Sequence, residues 1–169
     1  FFFVNLMEEE NKNIVNVWAS NLEVEMKKIS SLISKYRFVG MDTEFPGFFV
    51  KSPPLNATES AKYQIERENV NRMNLIQIGI TLGDESGNLA QPNCTWQFNF
   101  RFDVSNEIST PESILLLKKA GIDFEQLLSD GIEFADFVSV FYSSGLIMNE
   151  NVIWVTFHAG YDIAYLTKR

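Results

Sequence analysis

Three carboxylates carry the strongest chemical signal in the sequence: Asp42 and Glu44, two residues apart, and Asp162 far downstream. Side chains alternate faces along a strand, so Asp42 and Glu44 project from one face about 7 Å apart along the chain. Two anions on a core strand are costly unless something neutralises them. A divalent cation is the natural neutraliser. A strand with one solvated face would show the same Asp-x-Glu, so this spacing alone leaves both readings open. Asp162 follows a β-branched and aromatic run and opens a helix, where the helix dipole by itself favours a carboxylate. If that run lies beside the first strand, three converging carboxylates suit hard, oxygen-seeking cations, Mg²⁺ or Mn²⁺. One histidine and one cysteine supply no zinc cluster. The sequence also lacks a Gly-x-Ser-x-Gly nucleophile elbow and both phosphate-cradling glycine patterns.

Three neighbours of these acids are candidate substrate-binding residues. His158, the single histidine, lies four residues before Asp162 and reads either as a hydrogen-bonded structural residue or as a general base. Tyr161 can support a phosphate or the attacking water, or simply cover the helix end. Phe45, next to Glu44, is either core or a platform for a base, since aromatic stacking holds single-stranded RNA.

The elements that must position these residues follow from periodicity and turn chemistry. The stretch Phe38-Val39-Gly40-Met41 reads as a buried strand, stopped by Pro46-Gly47. Ahead of it, residues 20–36 form a helix with Leu22, Met26, Ile29 and Ile33 inward, Glu25, Lys27, Lys28 and Ser34 outward, and a Ser20/Glu23 capping box. Residues 51–62 are polar, contain Pro53-Pro54 and read as a surface loop, with a short helix over 63–70. Residues 73–82 make a second strand, with Ile76, Ile78, Ile80 and Leu82 on one face and Gln77, Gly79 and Thr81 on the other. Residues 83–88 are a hairpin turn without calcium-loop spacing. Residues 95–102 make a third strand, Trp96, Phe98 and Phe100 alternating with Gln97 and Asn99. Helices follow at 110–121, capped by Thr110 and Pro111, at 124–129, and at 132–144, ended by Gly145. Residues 152–157 read as a central strand leading into a last helix. The arrangement predicted is α/β: an antiparallel three-strand meander plus a parallel strand, flanked by helices.

Composition bounds the partners. With 169 residues, 46% hydrophobic and fifteen Phe, the chain can bury one substantial core. A net charge of −8 excludes a general electrostatic nucleic-acid binder, so any nucleic acid needs metal ions or local cations. Cys94 is alone, which excludes an intrachain disulfide and fits a reducing compartment. No stretch reads as a membrane span or a signal peptide. Residues 1–13 read as an N-terminal tail in which Met7, ahead of Glu8-Glu9-Glu10, is the more natural start. The last helix stops without Gly, Asn or Pro, and the chain reads as a fragment.

Four stretches in order, Met-Asp-Thr-Glu-Phe-Pro-Gly at 41–47, Ile-Gln-Ile-Gly-Ile-Thr at 76–81, Thr-Trp-Gln-Phe-Asn-Phe at 95–100 and Thr-Phe-His-Ala-Gly-Tyr-Asp at 156–162, resemble the Caf/Pop deadenylases. Val17-Trp18-Ala19-Ser20-Asn21-Leu22 resembles their opening. These are catalytic subunits of the Ccr–Not complex and members of the DEDD exonuclease superfamily. The resemblance runs from about Ile14 to the last residue, making residues 14–169 a partial exonuclease domain. It implies a ribonuclease-H-like fold and metal-dependent 3′→5′ removal of adenylates from messenger RNA tails. By that resemblance Asp42 and Glu44 match the first motif, Asp162 matches the second, and the complete site holds two Mg²⁺ or Mn²⁺ ions. It implies single-stranded poly(A) RNA and Ccr–Not subunits, a scaffold and a second deadenylase, as partners, and nucleus and cytoplasm as locations. The family's third motif, a further aspartate and a histidine, has no counterpart in the sequence, nor do its final strand and packing helices. The expectation is a chain of weak or absent activity with an exposed sheet edge. The alternative is a truncated, non-catalytic binding subunit of the same complex.

Overall fold

The structure is a computed structural model that describes residues 13–168 apart from 52 and 55. The expectations for residues 1–12 therefore lie outside the described residues. In chain order the elements are β1 (Ile14–Val17), α1 (Leu22–Leu32), β2 (Phe38–Glu44), α2 (Glu59–Arg72), β3 (Gln77–Gly83) and β4 (Thr95–Asn99), followed by α3 (Pro111–Lys119), α4 (Phe124–Asp130), α5 (Phe134–Ser143), β5 (Ile153–Val155) and α6 (Gly160–Leu166).

The five strands form one sheet in the order β1-β4-β3-β2-β5. β2, β3 and β4 are the antiparallel meander, and β5 runs parallel to β2, with Gly40 opposite Val155. β1 adds a parallel strand beside β4, with Asn16 opposite Gln97. Four residues carry too little alternation to announce a strand, and β1 was not predicted.

Alternation gives the sheet two unlike faces. One face carries Val39 and Met41, Ile78, Ile80 and Leu82, and Trp96 and Phe98, all buried. It packs against Leu22, Met26 and Ile29 of α1, Phe137 and Phe141 of α5 and Tyr165 of α6. The other face is polar or small: Gly40, Asp42 and Glu44 on β2, Gln77, Gly79 and Thr81 on β3, and Thr95, Gln97 and Asn99 on β4. A second apolar cluster, Ile76, Phe102, Ile114, Leu117, Phe124 and Leu127 with Trp18 against it, ties α3 and α4 to the strand ends. Ile76 thus joins this cluster and not the aliphatic face.

Several local expectations are corrected. Glu25, predicted outward, is 6% exposed. Its carboxylate accepts from Trp96 Nε1 at 3.1 Å and pairs with Lys28 at 2.6 Å, so partners, not apolarity, let it face the sheet. The Ser20/Glu23 box does not form; Asn21 is the residue before the helix, and its Oδ1 accepts from Trp18 N. The polar stretch ahead of residue 63 is not all loop. Thr58 Oγ1 accepts from Ala61 N, and α2 begins at Glu59, four residues early. This helix has almost no apolar stripe and is supported by Glu59–Lys62 and Glu68–Arg72 pairs, so periodicity could not mark its start. The 152–157 run pairs over three residues at the edge of the sheet and not at its centre, with Ile153 42% and Val155 53% exposed. Hydropathy identifies a strand but not its lateral position. No helix among the described residues is long and apolar enough to cross a membrane.

Candidate active site

β2 delivers Asp42 and Glu44 to the polar face, and the turn behind them is held from two sides. Glu44 is the last residue of β2, and Pro46 O accepts from Thr110 N at 2.9 Å, at the mouth of α3. Gly47 has φ +111°, and a Cβ there would collide with Thr110 Oγ1 and Ser113 Oγ, so only glycine suits the turn. The Thr110 hydroxyl donates to Ser113 Oγ at 2.8 Å and so serves this junction; it makes no side-chain cap to its own helix. Buried Asn69 of α2 closes the other side: Val50 N donates to its Oδ1, and its Nδ2 donates to Val50 O and to Tyr161 OH.

α6 brings the third acid to β2. Asp162 sits in its first turn, 7% exposed, and Thr43 Oγ1 donates to Asp162 Oδ1 at 2.5 Å. Thr43 points away from the face that carries Asp42 and Glu44, so Asp162 meets β2 from the core side. Its charge nevertheless reaches both neighbours. The Asp42 carboxyl is held above the ordinary range, first by burial and then by the Asp162 charge. Glu44 is likewise raised, first by burial, with the charges of Asp42 and Asp162 adding to it. Thr43→Val keeps the shape and removes the donor. It is expected to cost about 1.5–3 kcal/mol, because a buried carboxylate loses a charge-assisted bond; urea unfolding measures this.

The three acids are therefore brought onto adjacent elements. Among the described residues, no group of three or more His, Cys, Asp or Glu side chains stands as a ready-made ligand cluster, since the Asp162 carboxylate is turned to Thr43. In donor chemistry the set fits a hard divalent cation: all oxygen, and acids that destabilise one another when ionised.

The three candidate substrate residues are placed differently from one another. Phe45 is half-buried, stacked on Tyr161 and Tyr165 at 5.4 and 5.3 Å, with Phe48 edge-on. Tyr161, also half-buried, accepts the Asn69 bond, and burial pushes its phenol up. His158 is exposed at φ +52°, its ring against Phe157, in the turn before α6. Gly160 starts that helix where a Cβ would press on the Glu66 carboxylate.

Residues given no site role in the sequence line the space beside these acids. A cavity of about 490 Å³ opens over the polar face beside Glu44, floored by Gln77, Gln97, Asn99 and Asn16 and walled by Trp18 and residues of α3 and α4. Thr43 and Asn69 are equally part of the framework. The signal for the floor was present, because Gln and Asn alternate with buried apolar residues on β1, β3 and β4.

Residues 17–138 match the family model described as CAF1 family ribonuclease. The chain is similar to the poly(A) ribonuclease pop2 of Schizosaccharomyces pombe, 50% identical over 158 residues, which are 92% of this chain and 47% of that protein. It is similar to the solved structure of S. pombe Pop2p in its Mg²⁺- and Mn²⁺-bound form, with TM-score 0.85 and 49% identity over 91% of this chain and 62% of that one. It also resembles CAF1 in the structure of the yeast NOT1 MIF4G domain co-crystallised with CAF1, with TM-score 0.77 and 36% identity over 95% of this chain and 60% of that one. The chain spans about half the length of the curated S. pombe relative. The mixed sheet is thus the ribonuclease-H-like one, and the chain belongs to the CAF1 family of ribonucleases.

Proposed function

We propose that this chain carries the metal-holding acids of a poly(A)-specific 3′→5′ exoribonuclease that shortens messenger RNA tails. One observation carries the reading: Asp42 and Glu44 share one face at the end of β2, both half-buried, and Asp162 on α6 is bonded to Thr43 between them. Asp42, Glu44 and Asp162 would hold Mg²⁺ or Mn²⁺. The bound ions would supply Lewis-acid activation of water and stabilisation of the leaving 3′ oxygen. When ionised the acids repel one another, and a bound cation would offset that repulsion. Thr43 orients Asp162, and the Pro46-Gly47 turn fixes the end of β2. Support for the substrate comes from the poly(A) ribonuclease relative, and support for a NOT1-type scaffold as partner comes from the co-crystallised CAF1. Nuclear and cytoplasmic sites of action belong to the same proposal.

The test is a 5′-labelled RNA ending in a run of adenylates, incubated with the purified chain. The expected result is at most weak shortening from the 3′ end, which requires Mg²⁺ or Mn²⁺ and falls to background in Glu44→Gln. Shortening that persists in chelator, or in Glu44→Gln, contradicts the assignment. A chain that binds NOT1-type scaffold but never shortens RNA under any divalent ion favours the non-catalytic subunit.

A further inference from the structure

Beside Glu44 the sheet presents carboxamides where solvated strands usually carry charge. The register sets them in two rows: Glu44 opposite Gln77 opposite Asn99, and Asp42 opposite Gly79 opposite Gln97 opposite Asn16. The first row is internally satisfied. Gln77 Nε2 donates to Asn99 Oδ1 at 2.8 Å, and Asn99 Nδ2 donates to Val17 O and Gln97 O. The second row is not: among the described residues, the side-chain carboxamides of Gln97 and Asn16 make no hydrogen bond, only their backbone carbonyls each accepting one from a neighbouring side chain. Both line the cavity, Gln97 half-buried and Asn16 exposed.

The chemistry of the lining selects its occupant. No Lys or Arg lines it, and Glu44 stands at one wall, so a phosphate group is disfavoured there. Its volume, about 490 Å³, is that of a small-ligand site. Trp18 gives it an aromatic side, and a carboxamide offers one donor and one acceptor, the pair that reads adenine through N6 and a ring nitrogen. Gln97 lies two strands from Asp42, about 10 Å, within the span of one nucleotide.

We propose that this cavity is a base-reading subsite, taking the adenine of single-stranded RNA next to the phosphate at Asp42 and Glu44, with Gln97 and Asn16 as the reading residues and Trp18 as a stacking wall. The proposal rests on the ribonuclease reading and deepens it.

The experiment is fluorescence anisotropy with ten-nucleotide labelled oligo(A), oligo(C) and oligo(U), using the purified chain with Ca²⁺ in place of Mg²⁺ to prevent hydrolysis. Oligo(A) is expected to bind most tightly. Gln97→Met, which keeps the length of the side chain, is expected to weaken oligo(A) about tenfold, within the discrimination of one bidentate base contact, while oligo(U) stays within about twofold. Asn16→Ala, at an exposed position, is expected to weaken oligo(A) severalfold without moving the melting midpoint. An unchanged oligo(A)-to-oligo(U) ratio in both variants overturns the subsite and leaves the ribonuclease reading standing. Binding without any preference for oligo(A) overturns it in the same way. A parent chain that binds none of the three RNAs overturns the ribonuclease reading as well.

Discussion

Asp42→Asn is expected to abolish Mn²⁺ binding and, at the same time, to raise the melting midpoint of the metal-free chain. Both effects have one cause. Asp42 and Glu44 have carboxyl groups raised by burial and then by neighbouring carboxylate charge. A carboxyl raised in the folded state binds more protons folded than unfolded across the interval between its two values. Stability therefore falls as pH rises through that interval, and at neutral pH the ionised cluster is a net burden on the metal-free fold. Asparagine keeps the shape and deletes one charge. A gain of about 1 kcal/mol corresponds to about 2–4 °C in a chain this size. The gain should vanish as pH falls into the ordinary carboxylate range, where Asp42 is protonated in the parent chain too. With metal the order inverts. A ligand that binds only the folded state adds about 2.7 kcal/mol at a hundred times its dissociation constant, and the variant forgoes this. Differential scanning calorimetry with and without Mn²⁺, at neutral and mildly acid pH, reads all four quantities.

The second large effect is on the core that carries the site. Phe137 of α5 is fully buried, with ring centroids 5.2 Å from both Phe98 and Phe100 and 5.0 Å from Phe141. It is the point at which α5 grips β4, and β4 in turn holds β3 and β2 in register. Phe137→Ala deletes a ring that its neighbours cannot close over and is expected to cost about 3–5 kcal/mol. That is a large part of the 5–15 kcal/mol typical of a domain. Guanidinium unfolding should show it as a lower midpoint at unchanged slope. Tyr142, on the same helix but 69% exposed, is the control: Tyr142→Ser should stay within about 0.5 kcal/mol.

Where the chain's apolar pattern was strict, its structure was legible. Ile78, Ile80 and Leu82 alternate without exception and lie on the buried face, and Thr110-Pro111 opened a helix where turn chemistry said it would. The strand meander and its parallel neighbour followed from the order of such elements. Legibility failed where the deciding contact is distant in sequence. Glu25 faces inward because Trp96, 71 residues away, offers it a donor. Asp162 is turned toward Thr43, across 119 residues, and no local pattern announces that bond. α2 lacks an apolar stripe, so its first turn read as loop. Gln77, Gln97 and Asn99 were visible as polar partners of an alternating pattern, and the pattern alone does not distinguish water from a ligand on that face. The acids at 42 and 44 were legible as a pair from spacing, and as a possible trio with Asp162 only through the expectation that its strand lies beside theirs.

Isothermal titration of the purified chain with Mn²⁺, against Asp42→Asn under the same conditions, is the decisive measurement for the metal site. Saturable binding with proton release is expected in the parent chain, weakening as pH falls, with no detectable heat of binding in Asp42→Asn. Equal Mn²⁺ binding by the two chains, or none by either, would contradict a metal site built on Asp42, Glu44 and Asp162.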